Sequence, residues 1–470
     1  MPIPVITVAQ MREWEAATWA TGQTEAAVIQ RVGQWLAWRA SQLTASGEGV
    51  LVLAGKGNNG ADARAAVEHL AERRVELLNV HSPDVIFPRL QELLSSQSFS
   101  LVIDGLFGVG LNRPLDEQWQ RFIAAVNASG VPVLSVDVPS GLNADTGETF
   151  GAAIEAALTL TVGAPKPGLL PQAASPFVGR LEVLDDVGLA PTAQASELQW
   201  TLPGDFKNFP PRRPVAGHKG TFGHVAVIGG SFGFHGAAVL AARGAQRAQP
   251  GLITVYPQED VHHVIASQLQ SPMVSRWQAD IKVFEKASAV LVGPGLAAPD
   301  VPDDVKAVLR RLWRDADVPV VVDANALDWL VMQPVPRNAI RVLTPHPGEA
   351  ARMLTSTTDK VQAHRLNTVR ELSRRYGHCR VILKGHQTLV GRSEGPIFIN
   401  PSGNPHLAQG GSGDVLAGFI AGLLAQPALQ ADADRTIRYA VWEHGAAADR
   451  LQATKKNWVI EDLVDELGNH

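Results

Sequence analysis

The chain has 470 residues, of which 45% are hydrophobic and 19% are charged, so it is long enough for two globular domains and too apolar for a disordered protein. Its formal net charge of -5 gives no general attraction to nucleic acid or to acidic membranes. The single cysteine, Cys379, excludes an intrachain disulfide, and we expect a reduced thiol on the lead-in to a strand.

The N-terminus and the apolar segments predict a cytoplasmic protein. Residues 1–6 lack a basic region followed by an apolar run, which a signal peptide requires. No apolar stretch reaches the roughly 20 residues of a membrane helix. The richest one, from Val415 to Leu424, is interrupted by Gly418 and Gly422. We therefore expect neither export nor a membrane segment.

Strands and helices alternate through the first half of the sequence. Apolar residues at helical spacing predict a helix from Val8 to Trp38. The apolar runs 50–54, 101–104 and 131–137 predict buried strands, and residues 62–73 predict a helix. Near-continuous apolar strands separated by helices are typical of a parallel sheet covered on both faces. The predicted class is therefore α/β.

The alternation fails between about Gly188 and His218, where prolines accumulate, and this segment is predicted to connect two domains. A second alternation follows, with strands predicted at 224–228, 252–255, 289–292, 318–322, 341–343 and 380–383. We expect an N-terminal domain at residues 1–190, a linker at 191–215 and a C-terminal domain at 216–470.

Three glycine-rich loops follow predicted strands of the first half. They are Gly55-Lys-Gly-Asn-Asn-Gly-Ala-Asp62, Asp104-Gly-Leu-Phe-Gly-Val-Gly-Leu-Asn-Arg-Pro114 and Asp137-Val-Pro-Ser-Gly-Leu-Asn-Ala-Asp-Thr-Gly147. A glycine-rich turn into a helix lets backbone N–H groups approach an anion, although one such loop alone is equally consistent with a tight turn. Because ligands bind at the carboxyl ends of parallel strands, we expect the three loops to converge on one crevice.

The strongest motif of the chain is Asn404-Pro-His-Leu-Ala-Gln-Gly-Gly-Ser-Gly-Asp414, which leads into an apolar run at helical spacing. We expect the backbone N–H groups of Gly410, Gly411, Ser412 and Gly413 to form an anion hole at the helix N-terminus. Asp414 in the first turn can accept a proton from a substrate hydroxyl beside that hole. A plain helix cap is the alternative role for this residue.

Other loops of the second half also end predicted strands. Lys384-Gly-His-Gln-Thr388 offers donors for a nucleotide phosphate, and Gly293-Pro-Gly-Leu296 ends another strand. The histidine in Pro345-His-Pro-Gly-Glu349 predicts an ordered loop contact, with a purely structural role as the alternative. The aspartate that opens Asp323-Ala-Asn-Ala-Leu327 is equally consistent with a helix cap.

The first half resembles the NAD(P)H-hydrate epimerase domain, which has a Rossmann-like fold. The resemblance rests on the three loops, on Gln10-Met-Arg-Glu13 and on Thr161-Val-Gly-Ala-Pro-Lys-Pro-Gly168. It implies that Asp137 contacts the substrate and is the acid–base residue. It also implies a potassium ion held by Asn59, Asp104 and Ser140, whose hard oxygen ligands suit an alkali cation. The residues implied to hold the hydrated dinucleotide are Asn58, Asn59, Gly60, Ala61, Asp62, Gly108, Val109, Gly110, Leu111, Asn112, Arg113 and Pro114.

The first half departs from that family at two positions of the first loop. Ala61 and Ala63 stand where glycine is usual, and Asn143 stands where aspartate is common. A methyl group at 61 or 63 could block close backbone approach or disfavour a conformation that only glycine adopts easily. The alternative to an active epimerase is therefore a degenerate domain that binds ligand or supports assembly.

The second half resembles the NAD(P)H-hydrate dehydratase branch of the ribokinase-like fold, from His218-Lys-Gly-Thr-Phe-Gly-His224 to about Leu451. Gly229-Gly-Ser-Phe-Gly-Phe-His-Gly-Ala237 also fits this branch, and Gln249-Pro-Gly251 replaces a more usual small-residue turn. The resemblance implies that the hydrate contacts Ala237, Gly293 or Gly295, His346 and Asp414. The residues implied to contact the nucleotide are Lys384, Gly385, His386, Gln387, Thr388 and Gly413.

The two resemblances together predict a repair enzyme for NADH or NADPH that has gained water at C6. The dehydratase would phosphorylate the hydroxyl from ADP or ATP with Mg²⁺ and then eliminate phosphate, with Asp414 as base. The fused architecture implies ADP as the phosphoryl donor. The epimerase would interconvert the R and S epimers so that an S-specific dehydratase clears both. We expect a homo-oligomer with no nucleic-acid or membrane partner. The rival is a kinase for a small alcohol such as a vitamin precursor, which shares the anion hole.

Overall fold

The computed structural model describes residues 2–277, 279, 284, 286–297, 299, 301–336 and 338–469. The chain forms two compact units, Ile3–Glu197 and Leu198–His470. None of the described helices is both long enough and apolar enough to span a bilayer.

The first unit alternates strands and helices in chain order. Its strands are β1 (Ile3–Pro4), β2 (Gly49–Ala54), β3 (Arg74–Asn79), β4 (Leu101–Gly105), β5 (Val133–Val136), β6 (Leu158–Val162) and β7 (Arg180–Leu184). Its helices are α1 (Val8–Ala20), α2 (Glu25–Leu43), α3 (Asn58–Val67), α4 (Pro83–Ser95), α5 (Glu117–Ala128) and the single turn α6 (Ser175–Val178).

The sheet of the first unit is parallel throughout, in the order β3-β2-β4-β5-β6-β7. Every residue of β2 is buried, because helices cover both faces of the sheet. Leu36 of α2 and Ala66 of α3 pack in the core of one face, and Phe87 of α4 and Phe122 of α5 pack in the core of the other. The predicted parallel sheet with helices on both faces is confirmed.

The N-terminal helical segment differs from the prediction. Two helices replace the single helix predicted from Val8 to Trp38, because Gly22 adopts a φ of 93° after α1 and the Thr24 hydroxyl caps α2 by accepting from the Ala27 N–H. The apolar spacing continues across this break, so periodicity alone does not reveal it. The next helix, α3, begins at Asn58 instead of the predicted residue 62, so the glycine-rich loop itself supplies the first helical turn.

The second unit has its own alternation. Its strands are β8 (Leu198–Trp200), β9 (His224–Ile228), β10 (Leu252–Tyr256), β11 (Met273–Val274), β12 (Ala289–Val292), β13 (Val320–Val322), β14 (Arg341–Leu343), β15 (Arg380–Leu383), β16 (Leu389–Gly391) and β17 (Ile397–Ile399). Its helices are α7 (His235–Arg247), α8 (His262–Ala266), α9 (Asp303–Asp315), α10 (Pro347–Leu354), α11 (Thr358–Ala363), α12 (Arg365–Arg375), α13 (Ser412–Leu424), α14 (Pro427–Gln430), α15 (Ala433–Thr454) and α16 (Ile460–Glu466).

The second sheet runs in the order β8-β17-β16-β15-β14-β13-β12-β9-β10-β11. The strands from β11 to β15 are parallel, and β16 is antiparallel to both of its neighbours. The segment predicted as a linker contributes β8, which pairs with β17, and the buried side chains of Trp200 and Phe206. Backbone pairing and burial therefore make the end of that segment part of the second unit.

Helices α7 and α13 pack with their backbones in direct contact. A Cβ added at Gly418 would lie 1.9 Å from the Ala241 carbonyl oxygen, and one added at Gly244 would lie 2.3 Å from the Val415 carbonyl oxygen. The glycines that interrupt the apolar run after Asp414 are thus required for helix packing. The backbone contacts of Gly244 with Val415 and of Ala241 with Gly418 bring the two helices together along much of their length.

Candidate functional site

A cavity of about 620 Å³ opens at the carboxyl ends of β2, β4 and β5 in the first unit. The loops that follow these three strands all contribute to its walls, as the sequence predicts. Of the residues predicted to hold the dinucleotide, those lining the cavity are Asn58, Asn59, Asp62, Gly108, Val109, Gly110, Leu111, Asn112 and Arg113.

Two glycines of these loops have steric reasons to be glycine. A Cβ at Gly60 would lie 2.0 Å from the Gly55 carbonyl oxygen. A Cβ at Gly108 would lie 2.1 Å from the side-chain oxygen of Asn59. The close approach of the first two loops therefore depends on hydrogen in place of a side chain.

Asp137 is fixed by converging donors. Its Oδ1 atom accepts from the Thr161 hydroxyl at 3.0 Å, the Val162 N–H at 2.9 Å and Lys166 Nζ at 2.5 Å. The Lys166 side chain is fully buried, and Asp137 has a φ of 61°, which is uncommon for a residue with a side chain. Strained backbone of this kind is maintained where the surroundings over-determine it, often at functional sites.

Sequence reasoning missed Lys166 as a member of this site. The residue lies between two prolines directly after a strand, in Ala164-Pro-Lys-Pro167. A lysine held between two prolines soon after a strand was the signal that the sequence offered for this role. The structure shows that it provides the counter-charge for Asp137.

The three residues predicted to bind potassium lie around the carbonyl group of Phe107. The Ser140 hydroxyl lies 3.3 Å from this oxygen and 2.6 Å from Asp104 Oδ1, and the Asn59 amide nitrogen lies 3.1 Å from the same carbonyl. That nitrogen also donates to the Val136 carbonyl at 2.5 Å. Asn59 thus presents its amide nitrogen to the carbonyl groups here, while Asp104 and Ser140 bring together side-chain oxygens of the kind that an alkali cation prefers.

Neither Ala61 nor Ala63 obstructs the cavity. Both lie within α3 with helical backbone, so neither needs a conformation reserved for glycine, and neither lines the cavity. Ala63 is fully buried, and a Cβ at Gly105 would lie 2.6 Å from its methyl carbon. The methyl group therefore fills space beneath β4 that the glycine leaves open. The departure that suggested a degenerate domain is accommodated by packing.

In the second unit, the start of α13 presents backbone N–H groups without intrahelical partners. Gly411 precedes the helix with a φ of 99°, and no side chain caps this end. A Cβ at Gly410 would meet nothing within 4 Å, and one at Gly413 would meet Lys384 Nζ at 3.1 Å and Asp323 Oδ2 at 3.9 Å. The glycine loop therefore leaves its amides accessible beside a charged pair.

That pair is formed by Lys384, which directly follows β15, and Asp323, which directly follows β13. Lys384 Nζ lies 2.8 Å from Asp323 Oδ1, and the Thr344 hydroxyl donates to the same oxygen at 2.7 Å. Asp323 does not cap the short helix that follows it, since no side-chain cap hydrogen bond forms there. Its carboxylate instead adds negative charge beside the N-terminus of α13.

Asp414 lies in the first turn of α13 and is neither fully buried nor fully exposed. Burial, together with the negative charge of Asp323, raises the pKa of its carboxyl group to about 7, while the positive charge of Lys384 opposes the shift. Burial by itself would lower the pKa of Lys384, but the charges of Asp323, Glu349 and Asp414 raise it overall. The site therefore combines a permanent cation with a carboxyl group that titrates near neutral pH.

His346 has a clear structural role at the start of α10. Its Nδ1 accepts from the Gly348 N–H at 3.0 Å and the Glu349 N–H at 3.3 Å, and Glu349 Oε2 accepts from the His346 N–H at 2.7 Å. These reciprocal bonds form a capping box. The His346 side chain is half exposed, and its Nε2 lies 3.5 Å from Glu349 Oε1.

The 384–388 loop is held by a residue that the sequence analysis missed, Arg365 of α12. Its guanidinium donates to the His386 carbonyl and, at 3.2 Å, to the Leu383 carbonyl. Burial lowers the pKa of Arg365 to about 10, so it remains charged at neutral pH. Gln387 adopts a φ of 51° in this loop. An arginine eighteen residues upstream gives no local sequence signal for this contact.

His444 of α15 is a second missed residue. Its Nε2 lies 3.1 Å from the Ser412 carbonyl oxygen, and burial lowers its pKa to about 4. The ring is therefore neutral, and Nε2 must carry the proton because a carbonyl oxygen only accepts. This hydrogen bond ties α15 to the first turn of α13.

The remaining predicted contacts lie at the ends of β9 and β12. Gly293 has a φ of 129°, and its Cβ would lie 1.8 Å from the Asp323 carbonyl oxygen. A Cβ at Gly295 would lie 3.2 Å from the Ala237 methyl carbon, so these two positions are adjacent. The Ser231 hydroxyl donates to the Gly295 carbonyl at 2.7 Å and joins the two loops.

Both units match family models. Residues 225–469 match the model described as NAD(P)H-hydrate dehydratase, and residues 76–168 match the model described as YjeF-related protein N-terminus. The first match lies within the second unit and includes Asp414, and the second match includes Asp104 and Asp137 of the first unit.

Whole-length relatives and a solved structure are also similar. The chain is 34% identical over 486 residues to the bifunctional NAD(P)H-hydrate repair enzyme Nnr of Coxiella burnetii, with 97% of each chain covered. It is 35% identical over 434 residues to the enzyme of the same name from Escherichia coli, with 86% of this chain and 81% of that one covered. A ribokinase-like superfamily protein from Enterococcus faecalis is 25% identical with a TM-score of 0.50, covering 60% of this chain and 97% of that one. The predicted α/β folds, Rossmann-like and then ribokinase-like, are confirmed.

Proposed function

The chain belongs to the bifunctional NAD(P)H-hydrate repair enzymes, and on that basis we propose which residues of its two units perform the two steps of repair. The second unit is the dehydratase, and the first unit is the epimerase. The damaged cofactor carries water at C6 of the nicotinamide ring, and a hydroxide ion leaves that position poorly.

The dehydratase step converts the hydroxyl into a better leaving group. Asp414 takes the proton from the C6 hydroxyl, and the hydroxyl oxygen attacks the terminal phosphoryl group of ADP or ATP. Phosphate then leaves C6, and loss of a proton from C5 restores the ring double bond. The observation that carries this proposal is the position of Asp414 in the first turn of α13, at a helix start that no side chain caps.

The charges around Asp414 suit this role. A general base works best when its pKa lies close to the working pH, and burial raises the pKa of Asp414 to about 7. The N–H groups at Gly411 to Gly413 would face the negative charge that develops on the transferred phosphoryl group. Lys384 adds a buried positive charge next to Gly413.

The nucleotide would bind along the 384–388 loop, whose shape Arg365 maintains. Mg²⁺ would enter with the nucleotide, since this ion is usually held by phosphate and water oxygens with one or two carboxylates. Asp323 and Asp414 are the carboxylates next to the glycine loop that fit this need. Bound there, Mg²⁺ would neutralise charge on the phosphoryl oxygens. Among the described residues, no cluster of acidic, histidine or cysteine side chains forms a complete metal cage.

The epimerase step takes place in the 620 Å³ cavity of the first unit. Asp137 would exchange a proton with the C6 hydroxyl or with water at that carbon. Lys166 Nζ, 2.5 Å from Asp137 Oδ1, provides a counter-charge for this carboxylate inside the protein. A potassium ion would be held by Asn59, Asp104 and Ser140, where it orders the loops that form the cavity.

The experiment that tests this assignment uses the purified full-length protein and separated R and S hydrates of NADH and NADPH. With ADP or ATP and Mg²⁺, the S hydrate should regain the absorbance of the dihydronicotinamide. Without nucleotide, either pure epimer should convert to the equilibrium mixture faster than in buffer. A stable phosphorylated product from a small hydroxymethyl compound, without hydrate turnover, would support the kinase alternative instead.

A further inference from the structure

Asp62 is a second buried carboxyl group in the cavity of the first unit. It lies on α3, is only 7% exposed, and lines the same cavity as Asp137. Among the described residues, nothing forms a hydrogen bond or an ion pair with its carboxyl group. The carboxyl oxygens are not sealed inside the protein, so they open onto the cavity, where a bound substrate can contact them.

Asp62 and Asp137 have opposite surroundings. Three donors converge on one oxygen of Asp137, and one of them is the ammonium group of Lys166. No cation offsets the burial of Asp62. Burial raises the pKa of Asp62 well above its usual value, and the negative charges of Asp137, Glu15 and Glu25 raise it further. The two carboxyl groups in the cavity wall therefore differ in their surroundings, since burial and nearby negative charges favour the protonated form of Asp62, whereas Asp137 faces the ammonium group of Lys166.

Other ionisable groups face the same cavity, and they do not reverse this conclusion. The pKa of Glu15 is raised by burial and by the charge of Asp137, so it adds no positive charge near Asp62. The remaining charged or titratable side chains in the cavity wall are Arg12, Glu25, Lys56, His81 and Arg113. None of these cations contributes to the shift of the Asp62 pKa.

Two carboxyl groups held in opposite electrostatic surroundings are a recurrent arrangement for paired acid and base catalysis. We propose that Asp62 is the second proton-transfer residue of the epimerisation site, acting together with Asp137 at C6 of the hydrate. This inference rests on the proposed epimerase function of the first unit. It assigns Asp62 a catalytic role in addition to the substrate contact that the family resemblance implies.

The proposed step balances without an oxidant or a further reactant. Asp62 gives its proton to the C6 hydroxyl oxygen, the C6–O bond breaks, and water leaves. The lone pair of N1 forms a double bond to C6, which gives an iminium ion. Water then adds to the opposite face of C6, the electron pair returns to N1, and Asp137 accepts the proton of the added water. The reverse conversion uses the same residues with their roles exchanged.

The decisive variant is Asp62→Asn, which keeps the shape of the side chain and removes the transferable proton. Epimerisation without nucleotide should fall about 10²-fold or more. Dehydration of the pure S hydrate by the same molecules should stay at the wild-type rate. Asp84→Asn, an exposed substitution on α4, is the matched control and should leave both rates unchanged.

The pH profile separates a catalytic role from a structural one. The wild-type epimerisation rate should fall at alkaline pH as Asp62 loses its proton, and Asp62→Asn should lack this decline. If Asp62→Asn lowers the melting temperature of the first unit, Asp62→Glu should restore both activity and the alkaline decline. An Asp62→Asn variant with a wild-type rate would overturn this inference alone. A wild-type protein that leaves the epimer ratio at its spontaneous rate would overturn the epimerase assignment as well.

Discussion

The two units place their key carboxylates in opposite electrostatic settings. Asp137 in the first unit accepts three hydrogen bonds on one oxygen, and a fully buried lysine is one of the donors. Asp414 in the second unit makes no ion pair, and burial raises its pKa to about 7. Lys384 lies close enough to oppose that shift but is bonded to Asp323.

This difference matches the chemistry proposed for each unit. A base that must release its proton in every turnover works best with a pKa near the working pH, as at Asp414. At Asp137, an ion pair and two further hydrogen bonds fix the position of the carboxylate that would face C6 of the hydrate. The role of an aspartate at the end of a strand thus depends on the cation that lies beside it.

The variant with the largest expected effect should largely abolish the activity of one unit and leave the activity of the other unchanged. Asp414→Asn should reduce dehydration about 10²- to 10⁴-fold, because the amide cannot accept the hydroxyl proton. Epimerisation should be unchanged, since the first unit has its own cavity. Stopped-flow absorbance with the S hydrate and chromatography of the epimers measure the two rates. Near-normal dehydration would exclude Asp414 as the base.

The ion pair beside Asp414 can be tested through the pH dependence of dehydration. The rate should rise with pH until about 7, because ionised Asp414 is the active form. Lys384→Met should reduce kcat about 10²-fold and move this rise to higher pH, because the positive charge of Lys384 lowers the Asp414 pKa. An unshifted profile would mean that Lys384 does not act on Asp414.

A matched double variant controls for folding at that ion pair. Removing Lys384 alone leaves Asp323 buried without its cation, a loss of about 3–5 kcal/mol in similar buried pairs. Lys384→Met combined with Asp323→Asn should recover much of the stability. The shift of the pH profile should become smaller, since the charge of Asp323 raises the Asp414 pKa.

The fixed carboxylate of the first unit should matter for stability as well as for activity. Asp137→Asn leaves Lys166 buried without a counter-charge, so the first unit should lose about 3–5 kcal/mol of its free energy of unfolding. Asp414→Asn, which breaks no ion pair, should leave the second unit's stability nearly unchanged. Calorimetry of the two variants makes the comparison, and equal destabilisation would contradict it.

A potassium ion should stabilise one unit only. At about 100 times its dissociation constant, a bound ion adds about 2.7 kcal/mol to the free energy of unfolding. The melting transition of the first unit should therefore rise with potassium, and Ser140→Ala should weaken the response. Replacing potassium with tetramethylammonium at equal ionic strength is the control. A response identical in both salts would argue against the site.

The smallest effect concerns the alanine that replaces the usual glycine. Ala63→Gly should cost about 1 kcal/mol, because glycine is a poor helix former and the methyl group fills the space beside Gly105. Epimerisation should not become faster, since Ala63 does not line the cavity. A faster variant would show that the methyl group does restrict the substrate.

The sequence predicts the alternating elements well because buried parallel strands are short apolar runs. The predicted strands at 50–54, 224–228 and 289–292 coincide with β2, β9 and β12 to within one residue. Several strands escape prediction. β3 is an edge strand with partly exposed residues, and β8 is a short strand in a proline-rich segment. The other strands that were not predicted are β1, β6, β7, β11, β16 and β17.

The residues of the functional sites are likewise predicted only in part. The loops that end strands are visible in the sequence as acids and glycines, so the walls of the first cavity and the start of α13 could be predicted. Arg365 and His444 could not, because each acts on a partner that only the fold brings close. Lys166 had a signal in its position between two prolines, but only the fold shows that its partner is Asp137. The effect of Ala63 also depends on a distant position, Gly105, which sequence spacing cannot connect to it.

The most direct test of the account is the amplitude of cofactor recovery from a mixture of R and S hydrates. Wild-type protein with ADP or ATP should restore dihydronicotinamide absorbance from the whole mixture in one fast course, since the first unit keeps supplying the S form. A course that stops at the S fraction would contradict the role of the first unit. Absence of any nucleotide-dependent recovery would contradict the role of Asp414 and the second unit.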